Sequence, residues 1–248
     1  MVSISDPEGT VFDTLRSSIM KLFLLSLILV GACALAACRD EAERSSSTEP
    51  AGTRTPSTNS TTSPKSLPKI VAFGDSLTAG YGLAPSQSYP SLLQQKLNED
   101  GYEYEVVNAG ISGDTSAGGI RRIDWSLEGD VKIVILELGA NDILRLQPIE
   151  QMKKNLSKII ERAKAKGAQV LLAGMEAPTN SGPLYSRQVH EAFIELAEEH
   201  DVEFIPFFLE GVAGIQGLNQ NDGIHPNEAG TRMVAETVYK HLTPLLEK

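Results

Sequence analysis

The sequence predicts an α/β fold, a parallel sheet with helices on both faces. From Lys69 onward, short apolar runs alternate with stretches of helical spacing, and five such runs occur. One of them, Lys132-Ile133-Val134-Ile135-Leu136-Glu137-Leu138, is almost continuously apolar, as suits a strand buried on both faces. Crossovers between parallel strands are expected to be right-handed.

Each element has its own local reason. Ile70–Phe73 is the first strand. Tyr89–Leu97 has helical spacing, with Pro90 in the first turn, where a missing N–H costs nothing. Tyr104–Asn108 is the second strand, and Thr115–Leu127 a helix. After the third strand at 132–138, Pro148 to Lys166 is amphipathic and is stopped by Gly167. Gln169–Met175 is the fourth strand, Ser186–Glu199 a helix, and Val202–Phe207 the fifth strand. Asn227 caps a last helix that runs towards Leu246. There is no internal repeat.

The first 68 residues read differently. Met20-Lys21 precedes the apolar run LFLLSLILVGACALAAC, a positive start followed by apolar and then small residues, as in a secretory signal. Leu35-Ala36-Ala37-Cys38 resembles the lipobox of bacterial lipoproteins. That resemblance implies cleavage after residue 37 and lipid on Cys38. The alternative is an uncleaved membrane anchor, for which the run is slightly short of a span of ~20 residues. Asp6, Glu8 and Asp13 suit a signal start poorly, so translation is expected to begin at Met20. Residues 39–68 are rich in Ser, Thr and Pro and nearly devoid of apolar side chains, the composition of a flexible tether. The expected organisation is a signal over 1–37, a lipidated cysteine and tether over 38–68, and one domain over 69–248. The protein is then extracytoplasmic and held at a membrane. Arg39, rather than Asp, after the lipobox cysteine favours the outer membrane by the sorting rule for such lipoproteins.

Composition narrows the function classes. A formal net charge of −10 leaves no basic stripe for nucleic acid. The two cysteines, Cys33 and Cys38, both precede the predicted domain, so the domain has neither a disulfide nor a thiolate metal site.

In open parallel sheets, sites form beyond the carboxyl ends of the strands. After the first strand comes Gly74-Asp75-Ser76-Leu77. The second is followed by Asn108-Ala109-Gly110-Ile111-Ser112-Gly113-Asp114-Thr115, and the third by Gly139-Ala140-Asn141-Asp142. After the fifth strand and a longer loop comes Asp222-Gly223-Ile224-His225-Pro226. These are the parts of a serine hydrolase. Ser76 needs a base, and His225 can be that base. Asp222, three residues earlier, can hold the imidazole tautomer, while Pro226 stiffens the loop. Gly113, Asn141 and the Ser76 amide can donate to an oxyanion. Taken singly, each is also explained without chemistry, as a turn serine, a turn amide or a helix-entry cap. Asp75, Asp114, Asp142, Asp222 and His225 could instead be drawn together as oxygen-rich metal ligands, a reading that leaves the serine without a role. His190, His200 and His241 fall on predicted helices and read as surface or packing residues.

In order along the chain, these four blocks resemble the GDSL, or SGNH, hydrolases, and within them the lysophospholipase L1-like thioesterase/arylesterase group. Pro206–Val212 is also similar to that group, and the resemblance spans residues 69–246. It implies a three-layer α/β/α sandwich, flavodoxin-like, with strand order 2-1-3-4-5. It implies a serine esterase of aryl or acyl esters, extending to lysophospholipids or thioesters, that works through an acyl-enzyme on Ser76. No metal or organic cofactor is required. Asp75 is read as structural, fixing the turn. Ser76 sits in no Gly-X-Ser-X-Gly elbow, so the fold is not that of the α/β-hydrolases. Ile143, Leu144, Leu146 and Pro178 are expected either to line an acyl groove or to belong to the core. The expected partners are a small-molecule or lipid ester and, through the anchor, a membrane; a monomer is the expected state. Two other functions use the same sequence features: a carbohydrate O-deacetylase with the same triad, and a catalytically silent binding lipoprotein.

Overall fold

The structure, a computed structural model, describes residues 66–247. The start at Met20, the signal, the lipidation site Cys38 and the tether up to residue 65 lie outside the described residues.

Five strands form one sheet: β1 (Lys69–Gly74), β2 (Glu105–Gly110), β3 (Val131–Glu137), β4 (Gln169–Ala173) and β5 (Glu203–Ile205). Their order is β2-β1-β3-β4-β5, and every pairing is parallel. The helices are α1 (Ser76–Ala79), α2 (Tyr89–Glu99), α3 (Ser116–Ser126), α4 (Ala140–Leu144), α5 (Ile149–Ala165), α6 (Pro183–His200) and α7 (Glu228–Leu242). Helix α5 packs on both α3 and α6, while α2 packs on α7, so the sheet is the middle of three layers. In α5 the buried Met152, Leu156, Ile159, Ile160 and Ala163 recur every three or four residues, the stripe of a helix laid on a sheet. Strand β3 is buried at every position but Lys132.

The architecture matches the expectation, and the differences lie at element ends. Strands β4 and β5 are shorter than expected. Gly174 N still donates to Ile205 O (2.8 Å), but Pro206 has no N–H with which to continue the ladder. Helix α6 begins at Pro183, three residues early, with the proline in the first turn. Helix α7 stops at Leu242 and tightens into a 3₁₀ turn over Thr243–Leu245, because Pro244 cannot donate to the preceding turn. The short helices α1 and α4 come directly after strands, at segments that read as turns.

What positions the site is the carboxyl end of β1. In the sheet register Gly74 stands between Gly110 of β2 and Glu137 of β3. A Cβ on Gly74 would lie 2.0 Å from Thr78 Oγ1, 2.4 Å from Glu137 Oε2 and 2.6 Å from Glu137 O. Backbone and buried side chain both close on this one residue, so it has no room for a methyl group. Gly74→Ala is expected to lower stability by about 3 kcal/mol, the upper range for overpacking a closed site. Urea unfolding measures it, and a loss well below 1 kcal/mol would show that the strand end can relax.

Candidate active site

Ser76 is the first residue of α1, and the turn that carries it is set by its neighbour. Asp75 is fully buried, and its Oδ1 accepts from Leu77 N at 3.1 Å. Gly80, left-handed at φ 75°, ends the helix after one turn. Its N–H and that of Tyr81 both donate to Ser76 O, at 3.1 and 3.0 Å.

His225 approaches from the other end of the chain. Its Nε2 is 2.9 Å from Ser76 Oγ, and its Nδ1 is 2.6 Å from Asp222 Oδ2. Asp222 Oδ1 also accepts from the backbone amides of Ile224 and His225, each at 3.1 Å. The bond from the His225 ring, with these amides, holds the Asp222 carboxyl down at about 2. An ionised carboxylate can only accept, so Nδ1 carries the proton of the neutral ring and Nε2 is left to accept from Ser76 Oγ–H. Gly223, at φ 76°, makes the turn between Asp222 and His225. Gln220 latches this loop to the serine loop: its Nε2 donates to Tyr81 O (2.7 Å) and Pro226 O (2.9 Å), and its N donates to His225 O (2.7 Å). The Tyr81 ring lies 4.7 Å from the His225 ring, tilted by 38°.

Two further strand ends carry Gly113 and Asn141. Gly113, at φ 81°, lies after β2 in a loop held by Arg122 of α3. That guanidinium donates to Asp114 Oδ2 (2.7 Å), Ala109 O (2.7 Å) and Gly74 O (2.8 Å), and it stacks 3.9 Å from the Phe73 ring centre. Asn141 lies after β3, and its Nδ2 donates to Asp75 Oδ2 at 3.0 Å. One amide hydrogen is thereby fixed, which leaves the second free to point elsewhere. The next residue, Asp142, accepts from Ser116 N (2.8 Å) and Ser116 Oγ (2.6 Å), tying the Asn141 turn to the start of α3.

Ser76, Gly113, Asn141 and His225 line one open pocket of about 670 Å³. Ile143, Leu144 and Pro178 are also in its wall, with Met175, Phe207, Leu209 and Ile224. Leu146 is not. It lies just past the end of α4 in a left-handed conformation (φ 50°) and is 66% exposed, so the turn after α4 carries it off the wall. The acidic residues that could have been metal ligands do not converge: Asp114 pairs with Arg122, Asp142 with Ser116, Asp222 with His225 and Asp75 with Asn141. Among the described residues no three His, Cys, Asp or Glu side chains gather as a metal site. His190 faces Glu176, His200 faces Ser157 and His241 faces Glu203, on helices as expected.

Arg122, Gln220 and Glu137 escaped the sequence reading. Glu137 left a visible signal, a carboxylate inside the apolar run of β3. Arg122 left a weaker one, two helical turns beyond Asp114.

The GDSL-like Lipase/Acylhydrolase family model matches residues 72–233. The chain belongs to this family. It is 44% identical over 178 residues to Esterase TesA of Pseudomonas aeruginosa, covering 71% of this chain and 89% of that protein. It is 39% identical to an Arylesterase of Vibrio mimicus (70% of this chain, 88% of the other). It is 38% identical to Thioesterase 1/protease 1/lysophospholipase L1 of Escherichia coli K12 (71% and 84%). The crystal structure of TesA superposes with a TM-score of 0.70, covering 72% of this chain and 99% of that one. The esterase EstA of a Pseudoalteromonas species, in a crystal structure inhibited by monoethylphosphonate, superposes with a TM-score of 0.68 at 34% identity, covering 71% and 97%. As a GDSL acylhydrolase, the chain is a carboxylic ester hydrolase.

Burial raises the Asp75 carboxyl from 3.8 to about 6, against the bonds from Leu77 and Asn141 that favour its ionised form. Between those two values the folded protein keeps a proton that the unfolded chain releases, so stability falls as pH rises through this window. Asp222 acts below it: its stabilisation is complete above 3.8 and is lost as pH falls through about 2. Asp75→Asn cannot titrate, so its urea-unfolding free energy is expected to decline less steeply than wild type between pH 4 and 6, the remaining slope belonging to Glu137, whose buried carboxyl is also held above its ordinary value. A variant that keeps the full decline would assign it to another group.

Proposed function

We propose that the protein is a serine esterase of acyl and aryl esters that works through a Ser76–His225–Asp222 triad. One observation carries this: a continuous Asp222–Nδ1/Nε2–Ser76 chain, with contacts of 2.6 and 2.9 Å, at the wall of an apolar pocket. Ser76 Oγ attacks the ester carbonyl carbon, and its proton passes to His225 Nε2. Asp222 holds the imidazolium that forms. The oxyanion is met by the amides of Ser76 and Gly113 and by the free hydrogen of Asn141 Nδ2. One such donor is commonly worth about 3–4 kcal/mol in the transition state. Collapse expels the alcohol or thiol, which takes the proton from Nε2, and leaves an acyl group on Ser76. Water then gives a proton to Nε2 and attacks the acyl carbon; collapse releases the acid and restores Ser76 Oγ–H.

The apolar wall of Ile143, Leu144, Met175, Pro178, Phe207 and Ile224 suits an acyl chain, and this favours lipid-derived esters over a sugar acetate. Relatives named arylesterase and thioesterase/lysophospholipase span the same range of leaving groups, and the phosphonate-inhibited EstA fits a nucleophilic serine.

Ser76→Ala is expected to lower kcat on p-nitrophenyl esters by at least about 10³-fold, while a chelator leaves the wild type unchanged. Across an acetyl-to-palmitoyl series, the optimum is expected beyond acetyl. Activity that survives Ser76→Ala overturns the mechanism, and an acetyl-only enzyme returns the weight to a deacetylase.

The lipobox-like Leu35-Ala36-Ala37-Cys38 places the enzyme, in the same proposal, at an extracytoplasmic membrane face beside such substrates. Cys38→Ala is expected to move the protein from the membrane to the soluble fraction in cell fractionation. A variant still fully in the membrane would point to an uncleaved anchor.

A further inference from the structure

Glu137 is a buried acid that the ester chemistry does not use. It ends β3 directly under the nucleophile turn and is fully buried. Its Oε2 accepts from Thr78 Oγ1 at 2.6 Å and from Asp75 N at 3.3 Å. Thr78 in turn lies 3.4 Å from the buried Tyr89 hydroxyl of α2. Among the described residues, Glu137 Oε1 has no hydrogen-bond partner. A charged carboxylate with one oxygen unsatisfied in the core is far more costly than a neutral carboxyl in the same place. The titratable groups that face it are Asp75, from the loop after β1, and Tyr89, from α2. Ionised Asp75 disfavours a negative charge at Glu137, while Tyr89, its hydroxyl pushed up by burial, stays neutral and supplies no positive charge to balance one. Burial, and then Asp75, push the Glu137 carboxyl well above its ordinary value.

The two donors held by Oε2 belong to the residues on either side of Ser76 and Leu77. One is the backbone of Asp75, whose side chain aligns Asn141. The other is Thr78, on the turn that begins at Ser76. The absence of a side chain on Gly74 makes the room that Oε2 occupies.

We propose that Glu137 is a positioning residue for the Ser76 reaction: as an uncharged acceptor it clamps the Asp75 amide and the Thr78 hydroxyl, and so fixes together the nucleophile and the carboxylate that aligns Asn141. The inference rests on Ser76 being the nucleophile, which Ser76→Ala tests separately.

The experiment compares kcat and KM of wild type, Glu137→Gln, Glu137→Met and Thr78→Val. Rates are counted per active site titrated with a phosphonate, and pH profiles are recorded for each protein. Gln keeps a carbonyl for both donors and is expected to retain kcat within about threefold, with the acidic limb of its profile unmoved. Met fills the space without an acceptor and is expected to lower kcat about 10–100-fold, with KM within about threefold, as for a loss felt in the transition state. Thr78→Val removes one donor and is expected to fall between them, which keeps the test decisive if the Met variant does not fold. A folded Met or Val variant with wild-type kcat per titrated site overturns the positioning role, whatever its melting temperature. A Gln variant as slow as Met, or one whose acidic limb moves down by a full pH unit, overturns the uncharged form. In the last case Glu137 would have been an anion acting on Asp75.

Discussion

The site depends on what converges on Gly74. This residue ends the strand that lies between β2 and β3, so its position fixes how three successive strand ends meet. Its carbonyl accepts from Ile111 N at 3.1 Å and from Arg122 Nη2 at 2.8 Å, which ties the Gly113 loop to the Ser76 loop. Its missing side chain lets Glu137 and Thr78 close beneath the turn. Parallel pairing supplies the rest. Because β1 bonds to strands that come later in the chain, the crossovers deliver Gly113 from one side and Asn141 from the other, at the point where the strand order reverses.

The candidate site holds two opposite electrostatic environments within one small region. At Asp222 the carboxylate is partly exposed and accepts three N–H donors, so it remains charged and keeps the imidazole in one tautomer. Under the serine turn, Asp75 and Glu137 are fully buried, and both resist ionisation. In the proposed mechanism the first arrangement stabilises the positive charge that appears on His225. The second builds a hydrogen-bonded floor in which an uncharged Glu137 adds no further negative charge beside Asp75. A second charged carboxylate beneath a developing oxyanion would repel it, whereas a neutral Glu137 holds the same backbone without that cost.

The fold and the grouping of the candidate residues were legible because they obey local rules. Strand β3 announces itself by its apolar run, α5 by its spacing, and α7 by the Asn227 cap, whose Oδ1 accepts from Gly230 N at 3.1 Å. Ser76, Gly113, Asn141, Asp222 and His225 occupy segments beyond the carboxyl ends of strands, where an open parallel sheet builds its sites. The structure gathers four of them around one pocket and sets Asp222 behind His225. The residues that hold them in place were harder to see. Arg122 acts through Ala109, Gly74 and Asp114, and Gln220 through the carbonyls of Tyr81 and Pro226. Such bonds span the gap between distant segments and leave no periodic trace. Leu146 shows the converse limit. By composition it belongs with Ile143 and Leu144, but a single left-handed residue after α4 decides that it leaves the wall.

Asn141 shows why this machinery has to be over-determined. A side-chain amide is a mobile donor, and freezing it costs rotamer entropy that would otherwise be lost at the moment of reaction. Here the cost is met by folding. Asp75 Oδ2 takes one of its hydrogens, and Asp142 fastens the turn that carries it through Ser116, whose Oγ also accepts from the buried Asn155 of α5 at 3.0 Å. The proposed oxyanion donor is therefore braced through α3 and α5 on one side and through the Ser76 turn on the other. A displacement of either support moves Asn141 relative to Ser76, so the apolar packing of α5 on α3 bears directly on the geometry of the candidate site.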